Sequence, residues 1–147
     1  MVRTTAPPAQ TISDEIERMR DAMTVFDVLQ SAEITLRDAL ATLGVSDTGA
    51  ATMIRTCAEA YPAEACGFIL SDGTVVALPN DAPEPRRDYS IAPGHLARFS
   101  ERVVGVFHSH PDGEAILSAR DRALMQAGWR YVVIATRGPV VSDVAIM

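Results

Sequence analysis

The apolar run Val103-Val104-Gly105-Val106-Phe107 leads directly into His108-Ser109-His110-Pro111. A short run of β-branched and aromatic residues reads as a buried strand. On a strand, residues two apart project to the same side, so the end of this one presents two imidazoles together. Such a strand needs neighbours on both edges and cover on its faces. Few folds satisfy that and still leave the strand end open.

The rest of the chain supplies the neighbours. Cys66 to Leu70 and Thr74 to Leu78 flank Ser71-Asp72-Gly73 and read as a hairpin with a short Asp-Gly turn. Tyr131 to Thr136 and Val140 to Ile146, separated by Gly138-Pro139, read as two closing strands, and Tyr89 to Ile91 as a short one. Helical periodicity recurs in five places. Ser13 heads a segment with Ile16, Met19 and Met23 on one face, and Ser31 heads another with Leu36, Ala39, Leu40 and Leu43, stopped at Gly44. A third helix presents Met53, Ile54, Cys57 and Tyr61, a fourth lies around Leu96 to Ser100, and a further one is expected from Ser118 to about Ala127. Alternating strands and helices with one hairpin predict an α/β fold with a mixed sheet covered by helices on both faces. Residues 1–12, with Pro7 and Pro8 and no apolar period, read as a tail. The expected organisation is an N-terminal tail and helical extension over 1–47 and one domain over 48–147.

At 147 residues and 48% hydrophobic, the chain can bury a core without disulfides or a structural metal. A metal, if present, is then expected to be functional. Cys57 and Cys66 form no C-x-x-C pair and read as buried reduced thiols. The net charge of −6 gives no footprint for nucleic acid or an anionic membrane surface. Residues 1–47 hold 8 acidic and 4 basic side chains, which suits docking on the domain or on a partner. No apolar run approaches the roughly 20 residues of a membrane span. The N-terminus has acids and prolines where a signal peptide needs an apolar segment, so a cytoplasmic location is expected. All 13 basic residues are Arg, which base composition explains more simply than selection against lysine modification.

Eight residues after His110 comes Ser118, and three after that Asp121. Taken alone, Ser118-x-x-Asp121 has the form of a helix capping box. At average residue usage, however, His-x-His-x(7)-Ser-x(2)-Asp arises by chance in roughly one chain of this length in several thousand. Two nitrogens and one carboxylate oxygen, with a fourth position left open, are the pattern of a catalytic zinc site. The donor set suits zinc better than magnesium or calcium, with iron and manganese left open. His95 at a helix start, Asp112 and Glu114 in the intervening loop, and Trp129 before a strand have ready roles in capping, solvation and packing.

With these residues in view, the chain resembles the Mov34/MPN/PAD-1 metalloproteases. His108, His110, Ser118 and Asp121 match their JAMM motif, and Glu64 in Tyr61-Pro62-Ala63-Glu64-Ala65-Cys66-Gly67 matches their upstream acid. The resemblance covers about residues 48–146. It implies an α/β/α sandwich like that of cytidine deaminase, one Zn2+ held by His108, His110 and Asp121, and hydrolysis of peptide or isopeptide bonds. The H-x-E and P-C-x-x-C signatures of the deaminases themselves are missing. Glu64 would be the general base and Ser118 the oxyanion donor.

The hairpin turns in three residues and the motif loop is short, so the insertions with which eukaryotic relatives grip two ubiquitins are not expected. The chain is more similar to compact bacterial members. These resemble peptidases that cut after the C-terminal Gly-Gly of ubiquitin-like modifiers or sulfur carriers, in a pathway with activating and conjugating enzymes, or the JAMM domains of phage tails. A chain ending on the last strand favours the modifier over the tail protein. A scaffold that has lost catalysis is the remaining alternative, opposed by the complete five-residue set.

Overall fold

The computed structural model describes residues 33–147. Residues 33–42 form the described part of α1, followed by α2 (Asp47–Ala60), β1 (Cys66–Leu70), β2 (Val75–Leu78), α3 (Pro93–Phe99), β3 (Val103–Pro111), α4 (Ala119–Ala123), β4 (Arg130–Arg137) and β5 (Val140–Ile146). The tail, the Ser13 segment and the Ser31 cap lie outside the described residues.

The sheet has the order β2-β1-β3-β4-β5. β3 and β4 run parallel, joined by a crossover through α4, and every other pair is antiparallel. The strand with the two histidines is therefore central, as its unbroken apolar run requires. Its pairing with β4 continues through Ser109–Ile134, His110–Ala135 and Pro111–Thr136. Both histidines thus lie inside the strand, which is longer than the Val103 to Phe107 run expected from apolar residues alone.

Period-two alternation divides the core into two layers. On one face Ile69, Phe107, Val132, Ile134 and Val141 pack against Leu36 and Leu40 of α1 and Met53 and Cys57 of α2. On the other, Cys66, Phe68, Val106 and Tyr131 pack with Tyr89, Leu96 and Phe99, so that α3 and its approach cover that side. Helices cover both faces. Gly67 sits opposite Phe107, and a Cβ there would strike the Val76 carbonyl and the Phe107 ring, so only glycine lets that ring lie against β1. Ser46 caps α2 by accepting the Gly49 N–H at 3.1 Å, and Gly44, at φ +81°, turns the chain out of α1.

Two expected elements differ. Tyr89 to Ile91 is not a strand, because Ser90 gives its N–H to the Asn80 side chain and its carbonyl to the Asp81 N–H. The helix after Ser118 ends at Ala123 rather than near Ala127. Leu124 spreads its N–H over three carbonyls, and the Gln126 N–H goes to the Tyr131 hydroxyl, which draws the chain off the helix axis. Among the described residues no helix is long and apolar enough to cross a membrane.

Candidate functional site

His108 and His110 share the face of β3 that carries Val106. Across the antiparallel pair, Cys66 stands opposite His108. Continuing the register by two residues brings Glu64 opposite His110 on that same face. The step is secured at Ala65, which receives the Ser109 N–H at its carbonyl (3.0 Å) and donates its own N–H to Ser109 Oγ (2.7 Å).

Asp121 arrives from α4. Ser118 is the N-cap and Asp121 the third helical residue of a complete capping box: Ser118 Oγ accepts the Asp121 N–H at 3.0 Å, and Asp121 Oδ2 accepts the Ser118 N–H at 2.9 Å. The same Oδ2 lies 3.2 Å from His108 Nε2 and 3.2 Å from His110 Nε2, and the two nitrogens are 3.1 Å apart. Capping and clustering are therefore compatible, with one carboxylate oxygen serving both.

The donor triangle fits a small divalent ion. Tetrahedral bonds of about 2.0–2.1 Å place donor atoms roughly 3.4 Å apart, close to all three edges. Two imidazole lone pairs aimed at each other over 3.1 Å repel unless a proton or a cation lies between them. His110 Nδ1 faces the Glu114 carbonyl at 2.8 Å, which keeps a hydrogen on Nδ1 and frees Nε2 as a ligand. His108 is fully buried and stacked on Tyr89, with ring centroids 4.3 Å apart at 23°. Its Nδ1 has no partner among the described residues, so the tautomer is set by what meets Nε2. His108, His110 and Asp121 thus form a group able to hold a metal ion.

The acids differ sharply. Burial disfavours the Asp121 anion, but the hydrogen bonds from His108 and Ser118 outweigh it and hold its pKa well below the usual aspartate range. Glu64 is 6% exposed, and burial, with the charges of Asp121 and Asp88 behind it, pushes its pKa up to about 8. The surroundings thus favour the ionised form of one carboxylate and the neutral form of the other. Cys66, beside His108, turns its thiol toward the Leu78 and Pro79 carbonyls, and burial pushes its pKa up to about 12. Cys57 is likewise buried and unpaired, with its pKa pushed up to about 12 by burial.

The other candidates sit elsewhere. His95 lies within α3, outside the metal-binding group. Asp112 binds the Tyr61 hydroxyl at 2.6 Å and the Gly138 N–H at 2.8 Å, tying the end of α2 to the β4–β5 turn. Glu114 serves through its backbone carbonyl, and Trp129 packs edge-on against Phe68. Three residues that build the site gave no motif signal: Ser109, Tyr89 and Asn80. Only the last had a hint, as the single asparagine of the chain.

Residues 48–146 match the family of prokaryotic homologs of the JAB domain. The chain belongs to that family. Among curated JAB-domain relatives, a desampylase of Haloferax volcanii is 36% identical over 46% of this chain and 57% of its own length. A probable TtuB-protein conjugate cleaving protease of Thermus thermophilus is 36% identical over 44% of this chain and 48% of its own length. The chain thus spans about half the length of these relatives. A solution structure of a protein from Desulfitobacterium hafniense is similar to this chain at a TM-score of 0.52 and 25% identity, covering 62% of this chain and 73% of that one.

Proposed function

We propose that this JAB-domain protein is a zinc-dependent peptidase or isopeptidase that hydrolyses the bond after the C-terminal Gly-Gly of a ubiquitin-like modifier or sulfur-carrier protein. The observation that carries the reading is the triangle of His108 Nε2, His110 Nε2 and Asp121 Oδ2, with Glu64, its pKa raised, on the same face. The names of the two relatives, a desampylase and a conjugate cleaving protease, support the substrate class.

When bound by His108, His110 and Asp121, zinc supplies a Lewis acid for the scissile carbonyl and lowers the pKa of water. Glu64 takes the proton of the attacking water and later hands it to the leaving amine, so the acid ends the cycle as it began. Ser118 spends a lone pair on the Asp121 N–H, which leaves its hydroxyl hydrogen free to meet the oxyanion. An apolar cavity of about 350 Å3, lined by Tyr89, Ile91, Leu96, Leu124 and Trp129, adjoins the site and suits the extended tail before the glycines. Residues without Cβ let the scissile carbonyl approach the metal closely.

The test has three arms. Metal analysis should find one zinc per chain, lost in His108→Ala and Asp121→Ala. Glu64→Gln should keep zinc while hydrolysis falls by about 10² to 10⁴. Ubiquitin-like proteins fused to a peptide or joined to lysine should be cut after Gly-Gly and spared when it is changed to Ala-Ala. Equal cutting of both forms, or activity confined to cell-wall peptides, would overturn the substrate assignment.

A further inference from the structure

Glu64 precedes β1 and makes no strand hydrogen bond of its own; the cross-strand contacts end at Ala65, held by Ser109. Among the described residues nothing donates a hydrogen bond to its carboxylate, and its position is therefore set through the main chain. Both of its main-chain polar groups are held by the segment 80–90. The Glu64 N–H goes to the Pro85 carbonyl at 2.7 Å, and the Glu64 carbonyl receives Asn80 Nδ2 at 3.0 Å.

Asn80 organises that segment. Its Nδ2 also reaches the Asp88 carbonyl at 2.8 Å and the Pro85 carbonyl at 3.3 Å, while Oδ1 accepts the N–H groups of Ala82 at 3.0 Å and Ser90 at 3.1 Å. Two donor hydrogens and two acceptor lone pairs are all engaged, and only one orientation of the amide does this. Aspartate has the same shape but no donors, and would turn a charge toward three carbonyls. The segment held in this way also carries Asp88, whose carboxylate meets Arg120 at 2.8 Å beside Asp121, and Tyr89, stacked on His108. One side chain thus ties the backbone of Glu64 to groups that touch both flanks of the metal-binding cluster.

We infer that Asn80 is a positioning residue for Glu64: by anchoring the Glu64 main chain to the 80–90 segment, it holds the carboxylate over the face shared with His108 and His110. The inference rests on the hydrolase reading above. It adds a requirement that the metal ligands alone do not impose.

The experiment compares Asn80→Ala, Asn80→Ser and Asn80→Asp in the wild-type and Glu64→Gln backgrounds, reading kcat, KM, zinc per chain and amide hydrogen exchange. In the wild-type background kcat should fall about 10²-fold for Ala and Asp, with KM and zinc content unchanged. Asn80→Ser, which retains one donor, should fall less and serves if the others fail to fold. In the Glu64→Gln background the Asn80 changes should cost no further rate, because the group they aim is already gone. The Glu64 amide should exchange faster in the Asn80 variants while that of His108 does not. An active enzyme whose Asn80 variants lose the same factor in both backgrounds, change KM alone, or keep the Glu64 amide protected would overturn the positioning role. A wild-type protein that cuts no Gly-Gly substrate would instead sink the hydrolase reading, and the exchange measurement would still decide the anchor.

Discussion

Ser109, the residue between the two histidines, is hydrogen-bonded twice to Ala65, the residue after Glu64, through its N–H at 3.0 Å and its Oγ at 2.7 Å. The two halves of the site, one just before β1 and one on β3, are thus held in register by a side chain that points away from the face shared by His108 and His110. Removing Oγ in Ser109→Ala leaves the buried Ala65 N–H without its partner, at a cost of about 1–3 kcal/mol. Urea unfolding should register that loss in metal-free as well as zinc-loaded protein. A loss confined to the loaded form would mean that the serine acts through the metal.

Glu64 also makes stability depend on pH. With its pKa raised from 4.5 to about 8 in the folded protein, it binds a proton more readily folded than unfolded. That contribution is fully present below about pH 4.5 and is lost as the pH rises through 8. Asp121, with a lowered pKa, contributes in the opposite sense, and its share is lost only as the pH falls below its ordinary value of 3.8. Metal-free protein should therefore melt at progressively lower temperature from pH 5 to 8, and Glu64→Gln should flatten that slope. A wild-type slope retained in the variant would assign it to another group.

Ser118 caps α4, and the proposed mechanism gives it a second use as oxyanion donor; a single variant separates the two. In Ser118→Ala the lost cap costs about 1 kcal/mol of stability. The lost oxyanion donor costs about 10² to 10³ in kcat. Zinc content should stay at the wild-type level. A variant that loses stability but keeps its rate would restrict the serine to capping.

Leu36 and Leu40 lie before the residues matched by the family, yet both are fully buried in the cluster that holds Met53, Phe107 and Ile134. Leu36→Ala should cost about 2–5 kcal/mol in urea unfolding. The transition should remain single if α1 and the sheet unfold together. Two transitions, with only the weaker one shifted, would make the region before residue 48 a separate unit.

Much of this was legible in the chain. The alternation of β1, β3 and β4 and the apolar periods of α1 and α2 follow from local patterning, because each element buries one face against the sheet. The metal-binding group was legible because strand parity fixes which way His108 and His110 point and the capping box fixes Asp121. What escaped was non-local. Tyr89 to Ile91 has the composition of a strand, but its hydrogen bonds go to a side chain that only the folded loop brings near. The helix after Ser118 is cut short by the Tyr131 hydroxyl, which belongs to the next strand and leaves no mark on residues 118–127. Asn80 and Ser109 bond to main-chain atoms, which have no side-chain identity for a motif to reveal.

Cys66 carries a consequence of its own. Across the strands it faces His108, but its thiol is turned to two carbonyls with a pKa pushed up to about 12, and it stands outside the group able to hold a metal ion. Cys57 is buried in the core, and burial pushes its pKa up to about 12 as well. Oxidants and alkylating agents attack thiolate, and burial holds both sulfurs in the thiol form. The group able to hold a metal ion therefore offers only nitrogen and oxygen. Neither cysteine is poised to act as a sulfur switch.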